Sequence, residues 1–506
     1  MSTESVAATL PKPIEVPASA EVHASALRGS VVRGVAWKAA STVFGQLSRL
    51  LVAAILAHLL SPHDYGLAAM VLVFSSLVLV FSDLAFGQAL IQRQTITEAD
   101  RSTVFWTSVG AGALLTVAGI GLSWPIAAFY GEPEVQGLFA VLSLGFFIGS
   151  LAATQASLLM REMNFRSLEL RDMGATVCGG AVGIVTALNG FGAWAIIFQQ
   201  LTVTTVAAAL VWVASRWRPR FTYSLASLRD LGGYSANVLG SRLLFYANRN
   251  LDNLLIGRFL GPAALGAYAV SYNVMITPMS QISLPLQEVM FPAMSRLQDQ
   301  REKLRIAWLR LNRLVGAITI PGMLGLIAVA PEFVAVVLGP KWDSAVPVLQ
   351  ILAWVGLLQS LQGLNGTILR AVDRTSTLLR YSLVVLVASA VAFVAGLPWG
   401  VVGVATAYAI SSTIIEPYYT WLTARSIDSS LREFGRSLSG VVQAAVLMLG
   451  AVLLAKAALL DAGLGDAPRL LALILVGIAI YGPCVAWRAP EVVAELDELR
   501  RRGLRG

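Results

Sequence analysis

The sequence predicts an all-α integral membrane protein of about fourteen transmembrane helices. They are arranged as two parallel six-helix repeats forming two lobes around a central cavity, plus two extra C-terminal helices. Three observations lead there: apolar blocks of spanning length recur along the chain, Lys and Arg fall on one side of the resulting topology, and the second half repeats signposts of the first. The chain is 56% hydrophobic and 13% charged, with a mean hydropathy of +0.71. Soluble domains carry about 25% charged residues, so polar side chains are too few to cover a water-facing surface. A helix crossing the hydrocarbon core needs about 20 mostly apolar residues. These blocks are too long and too rich in Ala and Leu for strands, and they lack the dyad alternation of a membrane barrel.

Taken in order, residues 1–30 are rich in Ala, Ser, Pro and Glu and have no apolar h-region. They read as a disordered cytoplasmic tail rather than a signal peptide. Spans then centre on 34–60, 65–92, 103–129, 135–160, 172–189 and 192–214, the N-lobe of residues 31–215. The next six, 232–260, 264–294, 304–330, 345–370, 378–396 and 400–423, make the C-lobe of residues 216–425. Spans 13 and 14 centre on 437–458 and 468–488, within 426–488, and residues 489–506 form a basic cytoplasmic tail.

Cytoplasmic loops retain Lys and Arg, which tests this division. With the N-terminus inside, the inner loops hold Arg93 and Arg101; Arg161, Arg166 and Arg171; and Arg216, Arg218, Arg220 and Arg229. They continue with Arg296, Arg301, Lys303 and Arg305; Arg374 and Arg380; and Arg425, Arg432 and Arg436. The outer side has Lys341, Arg469 and, at helix ends, Arg258 and Lys456. Eighteen against four puts both termini in the cytoplasm and the final Glu498-Leu-Arg-Arg-Arg502 run at an anionic leaflet. The net charge of +8 is therefore topological and gives no support to nucleic-acid binding. Cys178 and Cys484 lie in separate apolar segments without metal-ligand spacing.

The halves share an offset of 200. His58-Leu-Leu-Ser-Pro-His-Asp-Tyr-Gly66 aligns with Arg258-Phe-Leu-Gly-Pro-Ala-Ala-Leu-Gly266, pairing Leu60 with Leu260, Pro62 with Pro262, Gly66 with Gly266 and, upstream, Arg49 with Arg249. Weaker echoes follow in order: Phe129-Tyr-Gly131 with Val337-Leu-Gly339, Leu158-Leu-Met-Arg161 with Thr367-Ile-Leu-Arg370, and Asn189-Gly-Phe-Gly-Ala-Trp194 with Trp399-Gly-Val-Val-Gly-Val404. Six crossings restore the chain's direction, so the repeats are parallel and related by an axis along the membrane normal. Spans 13 and 14 have no mate; lining a groove for a lipid tail is one role open to them.

Further residues carry a family likeness. They are Arg33-Gly-Val-Ala-Trp-Lys38, Leu60-Ser-Pro-His-Asp-Tyr-Gly66, Asp83-Leu-Ala-Phe-Gly87, Asn250-Leu-Asp-Asn-Leu-Leu-Ile-Gly257, Leu260-Gly-Pro-Ala-Ala-Leu-Gly-Ala-Tyr268 and Leu338-Gly-Pro-Lys-Trp-Asp343. As an ordered set over residues 30–425, they resemble the polysaccharide (O-antigen type) flippases of the multidrug/oligosaccharidyl-lipid/polysaccharide exporter superfamily. The resemblance implies alternating-access export of undecaprenyl-diphosphate-linked oligosaccharide across a bacterial plasma membrane, for lipopolysaccharide, capsule or exopolysaccharide. It implies as partners the lipid-linked oligosaccharide, membrane lipids, and polysaccharide polymerase and assembly proteins. No cofactor is expected beyond proton or sodium coupling.

Arg at bilayer depth is costly and faces a cavity or a partner. Arg49 lies near the midplane of span 1, with Gln46 and Thr42 on a similar face, and Arg249 is its repeat mate. Arg242, Tyr246, Arg249 and Asn253 recur at i, i+4, i+7 and i+11, sharing one face of span 7. Together with Gln46 these are the substrate-binding candidates, since guanidinium binds phosphate oxygens bidentately and the implied cargo carries a diphosphate. The competing reading is a structural Arg249–Asp252 clamp and an Arg49 that snorkels.

Asp83, Glu288 and Asp252 are candidates for ion coupling; alternatively, Asp83 and Glu288 pair with Arg93 or Arg296 near the inner interface. Glu416-Pro417 reads as a kink with a solvated acid. His63-Asp64 resembles a catalytic pair but sits in turn chemistry, and the Gly179/Gly183 spacing reads as close helix contact. A membrane polymerase or glycosyltransferase needs a sizeable outer loop with poised acids. The longest one, about 331–344, holds only Glu332, Lys341 and Asp343, so no enzyme is expected. A multidrug-type cation-coupled exporter of the same fold is the alternative; its cationic cargoes favour an acidic cavity.

Overall fold

A computed structural model describes residues 44–82, 90–91, 95–226 and 235–503. Among them every regular element is helical. The first half contains α1 (Phe44–Leu59), α2 (Pro62–Ser82), α3 (Glu98–Tyr130), α4 (Glu134–Arg161), α5 (Phe165–Leu188) and α6 (Trp194–Ala214). The continuous stretch Ser235–Arg296 breaks at Gly261, whose φ of 82° and ψ of 179° are not helical. It is thus two spans, α7 (235–260) and α8 (262–296). Then come α9 (Arg301–Phe333), α10 (Ala345–Ala371), α11 (Thr375–Gly396), α12 (Gly400–Ser426), α13 (Leu431–Asp461), α14 (Asp466–Arg488) and a further helix, α15 (Pro490–Gly503). Nine described stretches are long and apolar enough to cross a membrane. One of them, 375–426, holds both α11 and α12, and another, 246–277, straddles the break at Gly261.

Helix ends follow from local chemistry. Thr97 and Asp100 form a reciprocal capping box that starts α3. Gly131 ends that helix in the left-handed region at φ 77°, which a side chain would strain. Asn164 and Ser430 cap α5 and α13 in the same way as Thr97 caps α3. His63-Asp64 is turn chemistry: the Asp64 carboxylate accepts the Ser61 N–H at 2.9 Å and the Ser61 hydroxyl at 2.6 Å, fixing the start of α2. The Gly179/Gly183 face lets α5 lie on α6, with Gly183 against the Gln199 side chain and Gly179 against Val203.

Two departures from the sequence reading concern segments placed in loops. Residues 331–344 are mostly helical: α9 runs to Phe333, a π turn follows at Val334–Leu338 and a 3-10 turn at Pro340–Trp342. The C-terminal segment 490–503 is an amphipathic helix whose Glu491, Glu495 and Glu498 reach Arg310 and Arg313 of α9, so its acids tie it to the bundle. Glu416 is also not solvated. It is buried, and the Tyr381 hydroxyl of α11 donates to it at 3.2 Å, because the carboxyl points into the seam between α11 and α12.

One core joins the halves, running from Leu67 and Met70 of α2 through Leu138 and Phe139 of α4 to Ile256, Leu265 and Tyr268 of α7 and α8 and Leu352 of α10. A second unites α9, α10, α13 and α15 around Trp308, whose indole N–H donates to Asn365 at 3.0 Å and whose ring stacks on Phe434.

Candidate functional site

The repeat signposts meet each other in space. A Cβ placed on Gly66 would lie 1.7 Å from the Pro262 carbonyl oxygen, and one on Gly266 would lie 1.8 Å from the Pro62 carbonyl oxygen. The two contacts are reciprocal, as a two-fold relation between the repeats requires, and they close one end of the interface between the lobes. Neighbouring bonds reinforce that end. The Trp342 indole donates to the Ala57 carbonyl at 2.9 Å, and the Lys341 ammonium lies 3.4 Å from the carbonyls of both His58 and Leu59. These residues satisfy the last carbonyls of α1, which have no helical partner. Tyr65 packs edge-on to Trp342 with ring centroids 5.1 Å apart. Sequence reading found Gly66 and Gly266 as repeat markers and missed that they touch; the small residue at matching positions was the available signal.

The charged candidates lie on α1 and α7. Arg49 is exposed on α1, and its guanidinium donates to Gln46 Oε1 at 3.0 Å, which brings those two together as one polar patch. Arg249 is exposed on α7 and makes no hydrogen bond or ion pair with any described residue. The clamp with Asp252 is not formed. Asp252 is buried, accepting from the Tyr268 hydroxyl at 2.9 Å and the Asn253 N–H at 2.8 Å, so its carboxylate is engaged by other partners while Arg249 is exposed.

Tyr246 is turned away from open space: its hydroxyl donates to the Val73 carbonyl of α2 at 2.9 Å, a second tie between the halves. Asn253 leaves its side-chain oxygen buried without a partner. Asp83 lies outside the described residues, as do the side chains of Arg242 and Glu288.

A second feature lies between α9, α13 and α14. A cavity of about 490 Å³ is lined by Ile318, Pro321, Gly322 and Gly325 of α9, Met448 and Val452 of α13, and Leu473, Gly477 and Tyr481 of α14. Its wall is almost wholly apolar, and the glycines on α9 and α14 make room for it. Among the described residues no group of His, Cys, Asp and Glu is arranged to hold a metal ion, and Cys178 and Cys484 are free.

Residues 55–347 match the family described as polysaccharide biosynthesis protein. The chain belongs to that family. It is a multi-pass membrane protein. Among its relatives, the lipopolysaccharide biosynthesis protein WzxC of Escherichia coli is 31% identical over 71% of this chain and 73% of its own length. The teichuronic acid biosynthesis protein TuaB of Bacillus subtilis is 28% identical over 81% of this chain and 85% of its own. Among solved structures, the lipid II flippase MurJ in an inward closed conformation superposes with a TM-score of 0.73, covering 90% of this chain and 99% of MurJ at 15% identity. That likeness establishes the shared all-α membrane fold.

Proposed function

We propose that this member of the polysaccharide biosynthesis protein family flips undecaprenyl-diphosphate-linked oligosaccharide from the inner to the outer leaflet of a bacterial plasma membrane, by alternating access. The observation that carries the reading is an exposed guanidinium on each lobe, Arg49 and Arg249, at matching positions of the repeat, with Arg249 making no ion pair to any described residue. A sugar diphosphate cannot cross hydrocarbon without its water partners. Fixed donors from both lobes replace that water, and guanidinium presents them in the fork that phosphate oxygens fit. Both lobes keep hold of the head as the closed end around Gly66 and Gly266 opens and the other end shuts.

In this reading the Pro62/Pro262 end is the outer one, both termini are cytoplasmic, and the groove beside α13 and α14 takes the isoprenoid tail while the head passes. An apolar wall keeps the tail in surroundings as apolar as the bilayer it comes from. A guanidinium on each lobe favours an anionic cargo over the cationic cargoes of a multidrug-type exporter. A leaflet-resolved assay of lipid-linked oligosaccharide in a deletion strain carrying this chain tests the proposal. Outer-leaflet appearance that depends on the chain supports it, and an unchanged inner-leaflet pool refutes it.

A further inference from the structure

We propose that Glu332 is a positioning residue that locks spans 13 and 14 onto span 9. In consequence α9, α13, α14 and α15 travel with the second lobe as one body, and the apolar groove between them keeps a constant width. The value of this for transport rests on the tail-groove reading above; the geometry does not.

Glu332 is 1% exposed at the end of α9 and accepts from two cations on two different helices. The Lys456 ammonium of α13 lies 2.9 Å from one carboxylate oxygen, and the Arg469 guanidinium of α14 lies 3.1 Å from the other. Each cation is held further: Lys456 donates to the Ala328 carbonyl at 2.8 Å, and Arg469 donates to the Leu464 carbonyl and pairs with Asp466. One carboxylate thus ties three helices beside Val329, Phe333 and Leu470, at the rim of the groove.

The other end of α9 is tied as well. Arg313 pairs with Glu495 and with Glu491 at 3.2 Å, and Arg310 pairs with Glu498 at 2.6 Å, which fastens α15 to α9. Between these clusters the Tyr481 hydroxyl of α14 donates to the Ala317 carbonyl at 2.7 Å. Residues 313 and 332 are nineteen positions apart on one helix, about 28 Å at the α-helical rise, nearly the full thickness of the hydrocarbon core. The attachment therefore runs from one interface to the other.

The ties between the two lobes are of another kind. They are apolar packing in the shared core and backbone contacts at Gly66 and Gly266, with hydrogen bonds to carbonyls from Trp342, Lys341 and Tyr246. A buried carboxylate with two cationic partners is stranded when it separates from them, because little water competes or compensates there. A carbonyl losing one donor is not. Motion therefore falls on the lobe–lobe seam and spares the seam around Glu332.

The test uses the full-length protein in lipid nanodiscs, with Cys178 and Cys484 replaced by serine and spin labels at exposed positions. One pair, Ile306 and Leu454, reports within the proposed body; the other, Val117 and Leu454, reports across the lobes. The Gly66→Ala/Gly266→Ala variant forces the reciprocal contact apart without any cargo. Relative to wild type, the Val117–Leu454 distance distribution shifts and the Ile306–Leu454 distribution stays narrow and unmoved. Glu332→Gln broadens the Ile306–Leu454 distribution in either background, and the exchanged pair Glu332→Lys/Lys456→Glu narrows it again.

An Ile306–Leu454 distribution that shifts together with the cross-lobe pair overturns the proposal, and so does one that stays narrow in Glu332→Gln. Should the glycine variant fail to accumulate, Glu332→Gln in the wild-type background decides alone. No cargo enters these measurements, so loss of flipping with the expected distances counts against the cargo reading only.

Discussion

The carbonyl oxygen of Pro262 occupies the space a side chain on Gly66 would need, and the carbonyl oxygen of Pro62 does the same to Gly266. The helix starts of spans 2 and 8 therefore touch backbone to backbone, a contact available only to glycine. A Gly66→Ala chain is expected to insert and fold, since the overlap is confined to one end of the lobe interface, but to lose the closed state. Overpacking at a tight contact costs typically about 1–3 kcal/mol, enough to depopulate a closed state roughly fivefold or more. The leaflet-resolved flipping rate is expected to fall by about that factor at unchanged protein level, and Gly266→Ala is expected to match it. Wild-type flipping by both variants would show that the contact plays no part in the cycle.

Arg49→Ala and Arg249→Ala are each expected to abolish most flipping with protein level unchanged. The lysine variants are expected to retain an intermediate rate, because Lys keeps the charge and loses the fork. Quantifying outer-leaflet lipid-linked oligosaccharide against membrane protein level separates the outcomes. If both alanine variants insert normally and flip at the wild-type rate, the phosphate-holding assignment is wrong.

Filling the groove provides a third check. A Cβ on Gly325 would rest 3.9 Å from Met448, ordinary contact, so alanine fits there, whereas leucine projects into the cavity. Gly325→Leu is expected to slow flipping several-fold with thermal stability in detergent near that of wild type, and Gly325→Ala to leave both unchanged. A Gly325→Leu protein as active as wild type removes the groove from the transport path.

Topology supplies the fourth. Reporter fusions after residues 131, 341 and 463 are expected outside and those after 223, 300 and 430 inside, from the asymmetry of eighteen basic residues against four. An outside signal at 430 would break the fourteen-span arrangement and the orientation with it.

The sequence by itself determined the helical class, the order and, among the described residues, the approximate ends of the spans, the parallel repeat and the two auxiliary helices. Spanning length and apolar content are properties of a stretch of chain, set by a bilayer of nearly constant thickness, so they can be read along one dimension. It also singled out Arg49 and Arg249, because a cation in an apolar run is conspicuous wherever the run folds.

Only the tertiary structure decided what each polar group meets. Tyr246 shares a helical face with Arg249 by spacing, yet it bonds to Val73 across the lobe interface. Asp252 turns to Tyr268 rather than to Arg249. Glu332, read as a loop residue, is the hub that gathers Lys456 and Arg469 from more than a hundred positions away. Helical periodicity specifies the direction of a side chain about its own axis, but its partner depends on which helix lies opposite and at what depth. Those are settled by the packing of all the helices together.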